Sequence, residues 1–388
     1  MKICRIIAEI AAITLCSAAL FAQSGGNLQG DISQTFNPVI TGGHILTIAP
    51  DARAAGMGDI GLTTSADAYA QFHNLSKLPL TDKQWGVSLS YTPWMVEISK
   101  DMSLSSLNGY FTWGDKNSLK HAVAASFRYF HIGNGMAFFS HLHTPVAIKP
   151  YELAFDAGYA LKFHKNWSVG AGVKYLRSDY NYSLNGVAGM INSVLFDLSS
   201  TFETSISLGA EKSGVLRAAL ALNNLGGKMS YDGGLSYLYS PAIFRLGVGM
   251  ETDIEPLHHI SGHFELSKML APTYPVSGEE DYEKHLNQYQ MQNGFAALFS
   301  SWTDAPGGFP EEMKEIMLAL GAEYRYDQRF FLRAGYKHQH KSKGTGAGVT
   351  LGAGVKYQMM NFDISYFLAT QPNSPLNNTL RLTLGINL

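Results

Sequence analysis

Charge is scarce in this sequence. Asp, Glu, Lys and Arg together make up 15% of its 388 residues, against about a quarter in soluble domains, and they balance to a formal net charge of −2. A chain with no basic surplus offers no electrostatic footprint for nucleic acid, so that class of partner is set aside. Cysteine is scarcer still. The two present are Cys4 and Cys16, which leaves everything from Ser17 onward without a disulfide framework, a thiol nucleophile or a thiolate metal site. Long apolar runs are missing too: after Ala22 none reaches the 18 residues of a spanning helix. What is plentiful is Gly (39), Tyr (20) and Phe (21), the currency of turns, close backbone packing and interfaces.

At the N-terminus, Lys2 and Arg5 precede a mainly apolar stretch from Ile6 to Phe21, and Ala22 stands before Gln23. This is the pattern of a secretory signal peptide, residues 1–22, cleaved after Ala22. The run is too short for a spanning anchor of about 20 residues. Ile13, Thr14 and Leu15 ahead of Cys16 lack the small side chains of a lipidation site. An exported chain without cysteine, rich in Gly and Tyr, is either a soluble β protein or a membrane barrel.

Period-two alternation decides between them. At Thr379 to Leu388, Leu380, Leu382, Leu384, Ile386 and Leu388 fall on one face, while Thr379, Arg381, Thr383, Gly385 and Asn387 fall on the other. The same pattern begins at Trp85–Thr92 and recurs near 104–113, 123–129, 153–161, 167–175, 194–208, 215–223, 242–250, 258–266, 317–326, 330–337, 349–357 and 362–368. That gives fourteen strands. Short connections (114–120, 162–166, 209–214, 252–257, 327–329) alternate with long ones (131–150, 177–193, 224–241, 267–316). A sandwich has no reason to gather its long loops at one end, whereas an outer-membrane barrel has short periplasmic turns, long outer loops and an even strand number. Arg128, Asp156, Lys174, Arg217, Arg245, Lys356 and Arg381 lie opposite the apolar faces, as a polar lumen requires. Trp85, Tyr91, Trp113, Tyr129, Trp167, Tyr175, Tyr326 and Tyr357 stand at strand ends, where interfacial girdles belong. The expectation is an all-β fold: a 14-stranded antiparallel transmembrane β-barrel over residues 84–388, preceded by an irregular segment, 23–83, that packs on or in it.

Motifs for chemistry are few. Gly56 to Gly61 (G-M-G-D-I-G) matches a dinucleotide fingerprint, but no strand precedes it and no amphipathic helix follows. Tight backbone packing inside a barrel accounts for the glycines better. His258, His259 and His263, and the pairs His141/His143 and His338/His340, have no spacing that brings three together, so no metal site is assigned. Glu279, Glu280, Asp281 and Glu283 lack the Gly-kinked spacing of a calcium loop. No G-x-S-x-G occurs, and no cofactor is called for. The outstanding candidate is the long loop 267–316. It contains a helical stretch from Glu279 to Phe299 and then S-W-T-D-A-P-G-G-F-P-E-E, in which Pro306, Gly307 and Gly308 fix a turn and Trp302 and Phe309 supply apolar anchors. Pro310 with Glu311 and Glu312 reads as a helix start. Such a loop can plug the barrel, contact a partner, or do both.

The segments N-P-V-I-T-G (Asn37 to Gly42), A-P-D-A-R-A-A-G-M-G-D (Ala49 to Asp59), G-V-S-L-S-Y-T-P-W (Gly86 to Trp94), L-N-N-L-G (Leu222 to Gly226), and D-A-P-G-G-F with L-G-A-E-Y and F-F-L-R-A-G-Y (Asp304 to Tyr336) resemble the PorV family of the type IX secretion system. That family is itself similar to the FadL family of barrels with an N-terminal hatch. The resemblance implies that Asp51, Arg53, Gly56, Gly58 and Asp59 belong to such a hatch, and that the role is not enzymatic. It implies a shuttle in the bacterial outer membrane, among lipid and lipopolysaccharide. Such a protein would meet a large translocon barrel (Sov or SprA) and take secreted cargo by its C-terminal signal domain. It would then deliver the cargo to a sortase-like PorU with PorQ and PorZ. Trp302, Asp304, Pro306, Gly307, Gly308 and Phe309 are the expected docking residues. The alternative is a FadL-like transporter of hydrophobic small molecules.

Overall fold

The computed structural model describes residues 37–388 apart from 116–118, 138–145, 185–186, 210–211, 232, 235, 276–280 and 372–373. The leader 1–22, residues 23–36, His141, His143, Glu279 and Glu280 lie outside the described residues. Fourteen strands, each antiparallel to the next, close into a barrel. They are β1 (Trp85–Pro93), β2 (Ser103–Gly114), β3 (Lys120–His131), β4 (Tyr151–His164), β5 (Trp167–Leu184), β6 (Val187–Ser207), β7 (Ser213–Leu225), β8 (Ile243–Glu255), β9 (His258–Met269), β10 (Met317–Tyr326), β11 (Phe330–His338), β12 (Gly348–Tyr357), β13 (Met360–Ala369) and β14 (Thr379–Asn387). The seam joins β1 to β14 in a register that pairs Gly86 with Asn387, Leu89 with Leu384 and Tyr91 with Leu382. A closed sheet leaves no backbone donor or acceptor facing lipid, the condition for crossing a bilayer with strands.

The faces follow the alternation. On β14, Thr379, Arg381 and Thr383 are buried inward while Leu384 is exposed outward. Outward rows of Val87, Leu89, Phe127, Phe155, Val169, Leu246, Leu320 and Leu351 form a belt around the barrel. Aromatic ladders rim it at the short-turn end, where Phe111, Trp113 and His121 stack at centroid spacings of 6.0 and 5.3 Å. At the opposite end Tyr129 stacks on Tyr151 at 5.9 Å. Tyr and Trp collect where apolar and wet surfaces meet.

Two expectations about loops are corrected. The connection 177–193 is largely not a loop: β5 runs on to Leu184 and β6 starts at Val187, with a shift of register between Asp179 and Ser183. Beyond the membrane neither face of a strand meets lipid, so the apolar alternation stops although the backbone ladder goes on. The helical stretch at 279–299 is broken in two, α3 (Tyr282–Met291) and α4 (Gly294–Ser300). Asn293 interrupts it by capping Phe295 N–H through its side chain at 2.8 Å.

Before the barrel, residues 37–83 occupy its lumen. They contain two short helices, α1 (Ala52–Ala55) and α2 (Ala70–His73), and 3₁₀ turns at His44–Leu46 and Leu75–Leu80. A third short helix of the outer loop, α5 (Phe309–Glu315), starts with Pro310 and Glu311 in its first turn, as the sequence predicts.

Candidate functional site

Two places carry the chemistry: the seam between the hatch and the wall, and the loop between β9 and β10. In the first, hatch backbone is hydrogen-bonded around the inner wall. Ile45 N–H donates to Glu152 at 2.7 Å, Ala52 N–H to Thr383 at 2.9 Å, and Gly58 N–H to Thr350 at 2.8 Å. Asn74 donates its amide to Leu62 O and to Thr201, both at 2.8 Å. Asp51 caps α1 by accepting from Ala54 N–H at 2.7 Å, and its other oxygen meets His73 Nε2 at 2.8 Å.

Arg53 is the centre of an ionic lattice. Its guanidinium donates to both oxygens of Glu323 at 3.1 Å and to Asp67 at 3.1 Å. Glu323 in turn accepts from Arg333 at 2.7 Å, and Arg333 donates to Asp363 at 2.6 Å. Asp59, at a left-handed φ of 66°, receives Lys337 at 2.9 Å and Arg381 at 3.0 Å. Removing one member leaves the buried pair Glu323 and Arg333 short of a counter-charge, which costs on the order of 3–5 kcal/mol. Glu323, Arg333 and Asp363 fall on inward positions of their strands, so alternation alone marks them as luminal. Nothing local pairs them with a residue 270 positions earlier.

The glycines of the hatch answer glycines of the wall. Gly321 and Gly335 are cross-strand partners on β10 and β11. A methyl on Gly335 would lie 2.3 Å from Met57 C and 2.4 Å from Gly58 N, and one on Gly321 would lie 2.6 Å from Met57 O. Gly58 itself sits at φ +74°, and Gly56 rests on Gly352. Backbone therefore lies directly on backbone, an approach only glycine permits. Towards the long-loop end the lumen is filled by an apolar cluster in which Ile45, Leu46 and Ile48 meet Leu104, Phe130 and Leu176. Towards the short turns it opens into a cavity of about 420 Å³ lined by Arg53, Asp67, Lys77, Arg217, Glu323 and Arg333 among others.

At the second place, α5 is clamped from beneath. Lys268 reaches Glu312 at 2.9 Å and Glu315 at 2.5 Å, and Lys343 reaches Glu311 at 2.5 Å and Glu315 at 3.0 Å. Both lysines are buried, and neither stood out in the sequence: Lys268 lies 44 and 47 residues before Glu312 and Glu315, and Lys343 comes from the connection between β11 and β12. Asp304 accepts from Thr273 N–H at 3.1 Å, while its other oxygen is buried without a partner among the described residues. Burial pushes its carboxyl up to about 6, with Glu312 and Glu315 adding to the rise. The expected docking residues separate: Phe309 is 76% exposed beyond the Pro306–Gly308 turn, whereas Trp302 lies edge-on against Phe244 of β8 at 5.6 Å. The lumen is taken up by residues 37–83, and this loop packs on the rim, where Tyr239, Ala271, Tyr289 and Ala297 form its own small core. His258 lies against Tyr324 on the outer face while His263 meets Thr63 in the lumen, so the histidines diverge.

A closed 14-stranded barrel with an apolar outer belt, charged inner wall and filled lumen is an outer-membrane β-barrel protein. Residues 32–276 match the family model described as type IX secretion system protein PorV, and the chain belongs to that family. It is thus an outer-membrane protein of a secretion system rather than a member of an enzyme family. No curated protein matches it. Among solved structures it is similar to the Ralstonia pickettii toluene transporter TbuX, with 13% identity, 91% of this chain and 98% of that chain covered, and a TM-score of 0.45. The corresponding values for the Pseudomonas putida toluene transporter TodX are 11%, 88%, 98% and 0.45. For a Pseudomonas aeruginosa FadL homologue they are 11%, 91%, 100% and 0.43.

Gly335→Ala should lift the Gly56–Gly58 segment and lower barrel stability by about 1–3 kcal/mol in a denaturant titration. Gly262→Ala, where nothing lies within 4 Å, should change it by less than about 0.5 kcal/mol. The raised carboxyl of Asp304 stabilises the packed loop when protonated; that contribution is complete below the ordinary carboxylate value and lost as pH rises through about 6. Amide exchange across 304–315, corrected for intrinsic rate, should therefore be slower at pH 5 than at pH 8. In Asp304→Asn the two should be alike, and pH-independent protection in the unsubstituted protein would refute the assignment.

Proposed function

We propose that this barrel carries secreted proteins on its outer surface: it binds their C-terminal signal domains as they leave a translocon barrel of the Sov or SprA kind. It then passes them to a PorU-like sortase acting with PorQ and PorZ. The observation that supports the reading best is the rigid presentation of the turn 306–309. Four ion pairs, from Lys268 and Lys343 to Glu311, Glu312 and Glu315, hold the inner side of α5. That leaves Phe309 and Met313 free on its outer side. Large apolar side chains on a pre-organised support lose little entropy when covered, which is how binding hot spots gain their strength.

Family membership supports a place in the same secretion system. The role of conduit for hydrophobic small molecules gains nothing from the lumen. Its apolar half is packed with Ile45, Leu46 and Ile48, and its open half is lined by ionised side chains. An apolar solute coming from the long-loop end would find the apolar half already packed and a charged cavity beyond it.

Phe309→Ala combined with Met313→Ala leaves the clamp in place. Purified from outer membranes, that variant should retain at least about tenfold less cargo bearing a C-terminal signal domain than the unsubstituted protein, since a hot-spot truncation costs about 2 kcal/mol or more. Cargo retained undiminished by a correctly inserted variant would overturn the docking surface.

A further inference from the structure

Met291 ends α3, Phe295 and Phe299 stand four apart on one side of α4, and Trp302 follows just past its end. They are 78, 71, 67 and 43% exposed, and Phe295 meets Phe299 edge-on at 5.4 Å. Ala297 on the other side of α4 is fully buried in the core formed with Tyr239, Ala271 and Tyr289, which rolls the stripe away from the protein. Four large exposed apolar side chains between residues 291 and 302 call for a cover other than water.

The lower end of the stripe indicates what the cover is. Trp302 rests edge-on against Phe244, and Lys268, the register partner of Phe244, lies 5.9 Å over the indole. Phe244 shares its outward face with Leu246 and Val248, two and four residues along β8, both of them in the exposed apolar belt. The stripe is therefore continuous with the surface that faces lipid. An indole at the junction of apolar and wet surfaces is a common interfacial anchor.

We infer that Met291, Phe295, Phe299 and Trp302 seat in the acyl region of the outer leaflet, beside the barrel, as an interfacial anchor for the loop between β9 and β10. This anchor holds the turn 306–309 at a fixed height above the membrane. It rests on the barrel being membrane-embedded and not on the docking role of that turn, so either can fail while the other stands.

The test uses the full chain carrying Cys4→Ser and Cys16→Ser, with a bimane label at Phe299→Cys, reconstituted into phosphatidylcholine vesicles with brominated acyl chains. Leu246→Cys serves as the belt reference and Lys341→Cys as the solvent reference. Heat-dependent gel mobility confirms that each labelled barrel is folded. The label at 299 should be quenched about as strongly as that at 246 and several-fold more than that at 341, at every protein-to-lipid ratio. Quenching no greater than at 341 would overturn the inference. So would shielding that grows only as the ratio is raised, since this would assign the stripe to the wall of a second copy.

Discussion

Closure of the sheet between β1 and β14 is the constraint from which the rest of the molecule follows. In lipid an unpaired backbone group costs several kcal/mol, so strands can cross only if the last pairs with the first. That pairing fixes which side of every strand faces out. Leu89 and Leu384, opposite one another across the seam, look to lipid, and Ser88, Thr383 and Arg381 look inward. An inner wall built this way is polar and charged, and its charges need partners. Residues 37–83 supply them: Arg53 to Glu323, Asp59 to Lys337 and Arg381, and the backbone of Ile45 to Glu152.

The hatch and wall consequently behave as one body. To that pairing, backbone-on-backbone contact at Gly321, Gly335 and Gly352 adds a close fit that glycine alone allows. With the long-loop half of the lumen packed in this way, the surfaces offered to other molecules at that end lie outside it. The clamped α5 and its turn project from the rim, and the apolar stripe of α3 and α4 lies beside the belt. The arrangement thus separates a membrane-embedded scaffold from an edge presented at the rim.

Much of this is written in the sequence, and where it is not the reason is physical. All fourteen strands announce themselves because each has lipid on one side and a polar lumen on the other, so that burial and alternation coincide. The outer parts of β5 and β6 do not, since Arg177 pairs with Asp179 there and Tyr180 packs edge-on against Tyr231, so no lipid face imposes an apolar row. The start of α5 is legible from Pro310 and Glu311, and the break at Asn293 is a local capping event of the kind a single Asn signals only weakly. The resemblance to the PorV family agrees with the family model over 32–276. The lattice around Arg53 was not legible, because its members are joined across hundreds of residues by the curvature of the barrel. For the same reason Trp302 and Phe309, grouped as anchors by their closeness in sequence, turn out to face different surroundings.

A lumen closed to ions by residues 37–83 would leave external surfaces for partners. Planar-bilayer conductance of the purified, full-length barrel tests that closure most directly. A seal made by Arg53, Asp59 and the Gly56–Gly58 segment predicts a silent bilayer at neutral pH. Steady ion-conducting steps from the folded, unsubstituted protein would show an open path through the hatch and contradict the account.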